Sequence, residues 1–329
     1  MIAVITGANG FIGSNLSRRL VSDGWRATGI VRTTSDLTFL HGIEMELVDT
    51  GLDDADALAR AFAGADVVFH CAARASDWGS MEVFRRSNID GTRRVLDAAA
   101  RASVRRIVHI SSTVVYGFGG HVDADESAPK RPEPFPYCLT KLEAERLVEQ
   151  AARERGIEFA IIRPGNVFGP NDRITMIHLL EFLERRKFIY VNGGRTLTCP
   201  AYVENLVDAI VLAGTKREAA NEDFIITDGL RITWREYIES ICRELGVRPP
   251  RLTVPGGAVY AAAAVVESIW KAAGAKNAPL VTRYRIGQVR RDYHFSIAKA
   301  RRVLGFEPKV GLEEAIRRTV EWWKETMRG

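Results

Sequence analysis

The first thirteen residues, Met1-Ile-Ala-Val-Ile-Thr-Gly-Ala-Asn-Gly-Phe-Ile-Gly13, constrain the fold more than any other stretch. Ile2 to Ile5 is an unbroken apolar run, the pattern of a strand buried on both faces. Gly7, Gly10 and Gly13 follow. Phe11, Ile12, Leu16 and Leu20 then recur at helical spacing, opposite Ser14, Asn15, Arg18 and Arg19. Strand, glycine turn and helix make the front half of a dinucleotide-binding unit. Gly7 allows the sharp turn, Gly10 leaves no Cβ between backbone and a pyrophosphate, and Gly13 lets the helix pack close on the sheet. The free N–H groups at the helix start, with the positive end of its dipole, supply an anion site. The G-x-x-G-x-x-G spacing alone is a weak signal. Its place between strand and helix gives it meaning.

The alternation continues. Strands are expected at Arg26–Val31, Met45–Val48, Asp66–Ala73, Arg106–Ser111 and Phe159–Arg163. Helices are expected at Asp53–Ala63, Asn88–Ala102 and Tyr137–Arg155, with polar loops at 119–136 and 164–170. This is a doubly wound parallel α/β sheet of Rossmann type over residues 1–164. From Pro164 the alternation loosens into helices at Ile174–Lys187, Glu204–Ala213 and Trp234–Leu245, with strands at Phe188–Val191 and Phe224–Thr227. A chain of 329 residues exceeds one core. Residues 165–329 therefore read as a smaller α+β part, mainly substrate-binding, with segments interleaved into the first domain.

The net charge of +5 comes from 46 basic and 41 acidic residues. Arginine pairs such as 18–19 and 93–94 fall in helical patterns, so they read as solvated faces and not a nucleic-acid stripe. Cys71, Cys138, Cys199 and Cys242 lie far apart, without metal-ligand spacing, and read as reduced thiols of a cytoplasmic protein with no bound metal. The start of the chain goes straight into a strand, so no signal peptide is expected. The alanine-rich stretch Gly256–Ala273 carries Glu267 and Lys271. It is expected as a buried or lid helix, with no membrane span.

The second strand runs into Arg32-Thr-Thr-Ser35 with no carboxylate before Asp36. An arginine beside hydroxyls suits a ribose 2′-phosphate, so NADP(H) is favoured over NAD(H). Asp49, ending the third strand, is placed for the adenine amine. The small Ala72 and Ala73 let a cofactor lie close, and His70 reads as a packed core histidine. Tyr137 and Lys141 share one helix face. A tyrosine with pKa near 10 is a poor base, and an ammonium one turn away is expected to lower that value. Lys141 also suits the nicotinamide ribose. Ser112 is placed to hold a substrate oxygen while Tyr137 moves a proton and the nicotinamide a hydride.

Thr6-Gly-Ala-Asn-Gly-Phe-Ile-Gly13, His70-Cys-Ala-Ala73, Asn88…Gly91-Thr92, Ser111-Ser112…Tyr116-Gly117, Tyr137…Lys141 and Arg163-Pro…Gly169-Pro170 occur in this order. Together they resemble the extended short-chain dehydrogenase/reductases over nearly the whole chain. The resemblance implies a catalytic set Ser112, Tyr137 and Lys141, and a homodimer through the helices near Asn88 and Tyr137. It carries cofactor contacts to Gly7, Asn9, Gly10, Phe11, Ile12, Gly13, Arg32, Asp49, Thr50, Ala72, Ala73, Asn88, Ser111, Tyr137, Lys141, Pro164 and Val167.

Two branches remain. Asn166 matches the nucleotide-sugar epimerases and dehydratases, but Thr198 and Cys199 stand where those enzymes show Arg-Asp. Ala73-Arg-Ala-Ser-Asp-Trp-Gly79, Tyr202-Val-Glu-Asn-Leu206, Pro279-Leu-Val-Thr-Arg-Tyr284 and His294-Phe-Ser-Ile-Ala-Lys-Ala-Arg301 are similar to the 3β-hydroxysteroid dehydrogenase-like branch. That branch implies an apolar small-molecule substrate carrying an alcohol or ketone. Across both branches the candidate substrate contacts are Trp78, Thr113 and Asn166, and in the second branch Arg283 or Arg290 would meet a carboxylate. The expected activity is interconversion of a secondary alcohol and a ketone. The alternatives are a nucleotide-sugar isomerase or lyase with retained cofactor, and a non-catalytic cofactor-binding protein.

Overall fold

The apolar runs pair as parallel strands in the computed structural model, which describes residues 1–275 and 277–327. The chain begins β1 (Ile2–Thr6), α1 (Phe11–Ser22), β2 (Arg26–Val31), β3 (Glu46–Asp49), α2 (Ala55–Phe62) and β4 (Val67–His70). Helix α3 (Met81–Phe84) continues through a π-helical segment, Arg85–Asp90, into α4 (Gly91–Arg101). Then come β5 (Arg106–Ile110), β6 (His121–Ala124), α5 (Pro136–Arg155), β7 (Glu158–Pro164), β8 (Asn166–Phe168) and α6 (Met176–Glu184). Short strands β9 (Tyr190–Val191), β10 (Leu197–Thr198) and β11 (Pro200–Tyr202) precede α7 (Val203–Thr215), β12 (Glu222–Ile226), β13 (Ile232–Thr233) and α8 (Trp234–Leu245). The chain closes with β14 (Thr253–Val254), α9 (Gly256–Ala272), α10 (Arg283–Val289), β15 (Tyr293–Phe295) and α11 (Leu312–Met327).

The central sheet has seven strands in the order β12-β7-β5-β4-β1-β2-β3, all parallel. Alternation along each strand explains the unbroken apolar runs. Ala3 and Ile5 face one core and Val4 the other; Val67 and Phe69 against Val68, and Ala160 and Ile162 against Ile161, repeat the pattern. The first core is closed by Leu16 and Leu20 of α1 and Leu206 and Ile210 of α7. The second is closed by Leu58, Phe62, Val95 and Val148 of α2, α4 and α5. Strand order reverses between β1 and β4, so a crevice opens at their carboxyl ends, where open α/β sheets bind ligands.

Several boundaries differ from expectation. The fourth strand stops at His70, because residues 71–73 leave the sheet to pass beneath Gly7. The helix expected from Asn88 starts about two turns earlier, at Met81, and absorbs a π-helical segment. The stretches 119–136 and 164–170, expected as loops, carry β6 and β8, which exist through pairing with the distant β15 and β11. Helix α9 is not buried: only Gly256, Ala263 and Glu267 are, while Val265, Ile269 and Trp270 are exposed. No helix among the described residues is long and apolar enough to cross a membrane.

Candidate active site

The glycine loop is built as its spacing requires. Gly7 has φ +68°, and a Cβ there would sit 2.8 Å from Ala72 Cα. A Cβ on Gly13 would run into the Gly7 carbonyl oxygen, so this residue sets the approach of α1 to the strand end. Gly10 is nearly open, with only Gly7 O at 3.2 Å. The N-terminus of α1 has no side-chain cap, so its first N–H groups are available to an anion. These features fit a dinucleotide pyrophosphate.

Arg32 and Ser35 close a tight turn after β2: Arg32 N–H donates to Ser35 Oγ at 3.0 Å and Ser35 N–H to Arg32 O at 2.7 Å. The Arg32 side chain is exposed. Thr33 Oγ1 donates to Asp49 Oδ1 at 3.0 Å, tying the ends of β2 and β3. Asp36 is bound by Thr38 and Arg173, which hold its carboxyl down at about 2. Asn9 donates to the Asp36 carbonyl at 3.3 Å, which fixes the far rim of the crevice. The backbone N–H of Thr50 donates to Val31 O at 2.8 Å.

Pro136 occupies the first turn of α5, which launches Tyr137 and Lys141 from beside the end of β5. Lys141 is 4 % exposed and donates from Nζ to Ile110 O at 2.7 Å. Its ammonium lies 5.8 Å from the centre of the Tyr137 ring. The Ser112 hydroxyl lies beside the Tyr137 phenol and favours its ionised form. The three expected catalytic residues thus meet at the carboxyl end of β5.

One electrostatic expectation is corrected. Lys141 does not lower the Tyr137 pKa in this arrangement; burial raises it above 10, outweighing the Ser112 hydroxyl. The phenol is therefore held as the neutral acid. Burial also pulls Lys141 down to about 8, with Cys71 and Glu145 acting the other way. Its charge is present below about pH 8 and lost above. The rate of any reaction needing that ammonium should fall above this value, measured as a pH profile of kcat/KM. A profile flat to pH 10 would contradict a charged role.

Spacing did not single out what lies behind Lys141. One turn further along α5, Glu145 is fully buried and accepts from Arg163 Nε at 2.8 Å, Arg163 Nη2 at 2.9 Å, Ser111 Oγ at 2.6 Å and Lys130 Nζ at 2.9 Å. Arg163 also pairs with Asp223 at 2.6 Å and donates to Tyr116 at 2.7 Å. Tyr137, Lys141 and Glu145 are each four apart. That i, i+4, i+8 stripe was the available signal.

His70 bridges Thr6 at 2.7 Å and Thr92 at 3.0 Å, and burial lowers it to about 3, so it is a neutral, partnered core histidine. Asn88 is engaged inside the protein: its amide donates to Arg74 O and Thr140 Oγ1 and accepts from Arg74 N–H. Thr113 donates to Pro164 O at 3.2 Å and accepts from Tyr293 at 3.0 Å, so its hydroxyl faces inward. Asn166 donates to Thr198 at 3.0 Å, beside Val167 on β8. Trp78 donates to Ala275 O at 3.2 Å, below Lys271. Arg283 is spent on buried Glu267 at 2.9 Å, and Arg290 stacks on Tyr260 at 3.8 Å.

The model of the NAD dependent epimerase/dehydratase family matches residues 3–227. The chain belongs to this family. It is similar to a 4-hydroxy-2-methyl-3-oxo-4-farnesyl-3,4-dihydroquinoline-1-oxide ketoreductase of Stigmatella aurantiaca, 30% identical over 96% of this chain and 95% of that one. A 2-alkyl-3-oxoalkanoate reductase of Stenotrophomonas maltophilia is 28% identical, over 97% and 98%. A 3 beta-hydroxysteroid dehydrogenase/Delta 5-->4-isomerase of Mycobacterium tuberculosis is 30% identical, over 95% and 88%. Among solved structures, that of gox2253 has a TM-score of 0.83 at 28% identity, covering 99% of both chains. The chain is an NAD(P)-dependent enzyme of the extended short-chain type, in the 3β-hydroxysteroid dehydrogenase-like branch.

Proposed function

We propose that the protein interconverts a secondary alcohol and a ketone on a mostly apolar substrate of 3β-hydroxysteroid or β-keto acid type. The observation that carries this reading is the meeting of Ser112, Tyr137 and Lys141 at the carboxyl end of β5, with Lys141 one turn from Tyr137 and held by Ile110 O. When bound, the nicotinamide supplies or accepts the hydride. In the reductive direction Ser112 holds the carbonyl oxygen, Tyr137 gives that oxygen its proton, and Lys141 offsets the phenolate left behind. The substrate named for the Stigmatella relative is a farnesylated 3-oxo compound, which supports an apolar ketone. The nucleotide-sugar alternative has less support, since Asn166 is bonded to Thr198 and no arginine stands at 198 or 199.

NADP(H) is favoured because Arg32, exposed, directly follows β2, while Asp36, the nearest following carboxylate, is engaged by Arg173. Arg32→Asp should shift preference toward NADH by about tenfold or more, from loss of a charge-assisted contact. Parallel fluorescence titrations with NADPH and NADH measure it, and an unchanged ratio would refute the role of Arg32. Residues 165–329 are assigned mainly to substrate binding, although β12 belongs to the central sheet. A homodimer through the α3–α4 and α5 faces is supported by the exposed Met81, Val83 and Leu139.

A further inference from the structure

Helix α10 is held beside Tyr137 from two sides. Thr282, which caps it, donates to Asp77 Oδ2 at 2.8 Å, and Arg285 pairs with the same carboxylate at 2.7 Å, tying the helix to the loop after β4. Arg283 ties it to α9 through Glu267. Between these anchors Tyr284 stands edge-on to Tyr137, ring centroids 6.4 Å apart, and packs against Phe118 at 5.3 Å and Phe135 at 5.6 Å.

The hydroxyl of Tyr284 makes no hydrogen bond to any described residue. Two neighbouring phenols do: Tyr116 with Arg163 and Tyr293 with Thr113. Burial and the nearby Cys138 and Tyr137 hold the Tyr284 phenol well above its ordinary range, so it remains a neutral donor. A partly buried hydroxyl without an internal partner needs one from a ligand or solvent.

We infer that Tyr284 determines which ketone the enzyme takes: its ring walls the substrate beside Tyr137, and its hydroxyl donates to a second substrate oxygen near the reacting carbonyl. This rests on the ketone-reduction reading above. Ser112 and Tyr137 both address the reacting oxygen, Thr113 faces inward, and Arg283 is neutralised. Tyr284 is a further donor beside Tyr137. The ligand class is an apolar ketone with a neighbouring oxygen, represented by a long-chain 3-oxoalkanoate.

The test compares the full-length protein with Tyr284→Phe and Tyr284→Leu. The probes are a long-chain 3-oxoalkanoate and the methyl ketone of equal chain length lacking the carboxylate. Binding to the NADP+ complex is read by tryptophan fluorescence, and turnover by NADPH absorbance. The wild type should prefer the acid. Tyr284→Phe should raise Kd and KM for the acid about tenfold, the loss of one hydrogen bond to a charged group, with the methyl ketone and both kcat values unchanged. Tyr284→Leu should weaken both ligands. No preference in the wild type, an acid preference kept by Tyr284→Phe, or a fall in kcat with KM unchanged would each overturn the assignment. If the wild type binds the acid preferentially but reduces neither probe, ketone reduction falls, and the Kd ratio of Tyr284→Phe still decides the role of this residue.

Discussion

Replacing Tyr137 by Phe should lower kcat/KM for ketone reduction by about 10³-fold, the middle of the range for a positioned general acid. The expectation follows from geometry. Ser112 is the hydroxyl beside Tyr137, and a hydroxyl of ordinary acidity replaces a phenol poorly as proton donor. The substitution removes one oxygen from a buried site and leaves the ring, so fold and dinucleotide affinity should be unchanged. The α1 N-terminus and the glycine loop lie on other elements. Steady-state rates with a fluorescence titration of NADPH separate the two effects. Full activity in Tyr137→Phe would remove this residue from the chemistry. Loss of cofactor binding in parallel would show a structural defect instead.

Glu145→Ala should lower stability by about 3–5 kcal/mol, because it leaves the buried Arg163 guanidinium with Asp223 as its remaining carboxylate partner. For a chain of this size that corresponds to a melting temperature lower by roughly 10 °C. The pH dependence has a definite sign. Arg163, Lys130 and Ser111 hold the Glu145 carboxyl below its ordinary 4.5 despite burial. Its stabilising contribution is present above 4.5 and is lost as pH falls through the lower folded value. Acid unfolding of the wild type should carry this component, and Glu145→Gln should lack it. Thermal melts between pH 3 and pH 7 test both statements.

The first half of the fold was legible because its strands are buried on both faces and its helices on one. Ile2–Ile5 or Val67–Phe69 can serve as little else. The strands that escaped notice, β6 and β8, are held by partners far away in sequence, and no local pattern marks them. The π-helical run Arg85–Asp90 likewise obeys contacts with α5, outside its own periodicity.

In the site, glycine spacing and the Tyr137–Lys141 interval each encode a backbone geometry, and both could be read directly. The sense of the Tyr137 shift could not. It depends on how completely the ring is enclosed, and α10, whose Tyr284 helps enclose it, has no period that links it to Tyr137. The internal partners of Arg283 and Thr113 were not legible for the same reason. Their partners, Glu267 and Pro164 with Tyr293, are set by tertiary packing.

The most direct measurement is the stoichiometry of cofactor turnover. The purified protein is incubated with excess NADPH and a limiting long-chain 3-oxoalkanoate, and NADPH absorbance and product are followed together. One NADPH oxidised for each 3-hydroxy product, with the rate abolished in Tyr137→Phe, is the expected result. No net oxidation, with NAD retained through purification and a nucleotide sugar isomerised in its place, would contradict the proposed reaction.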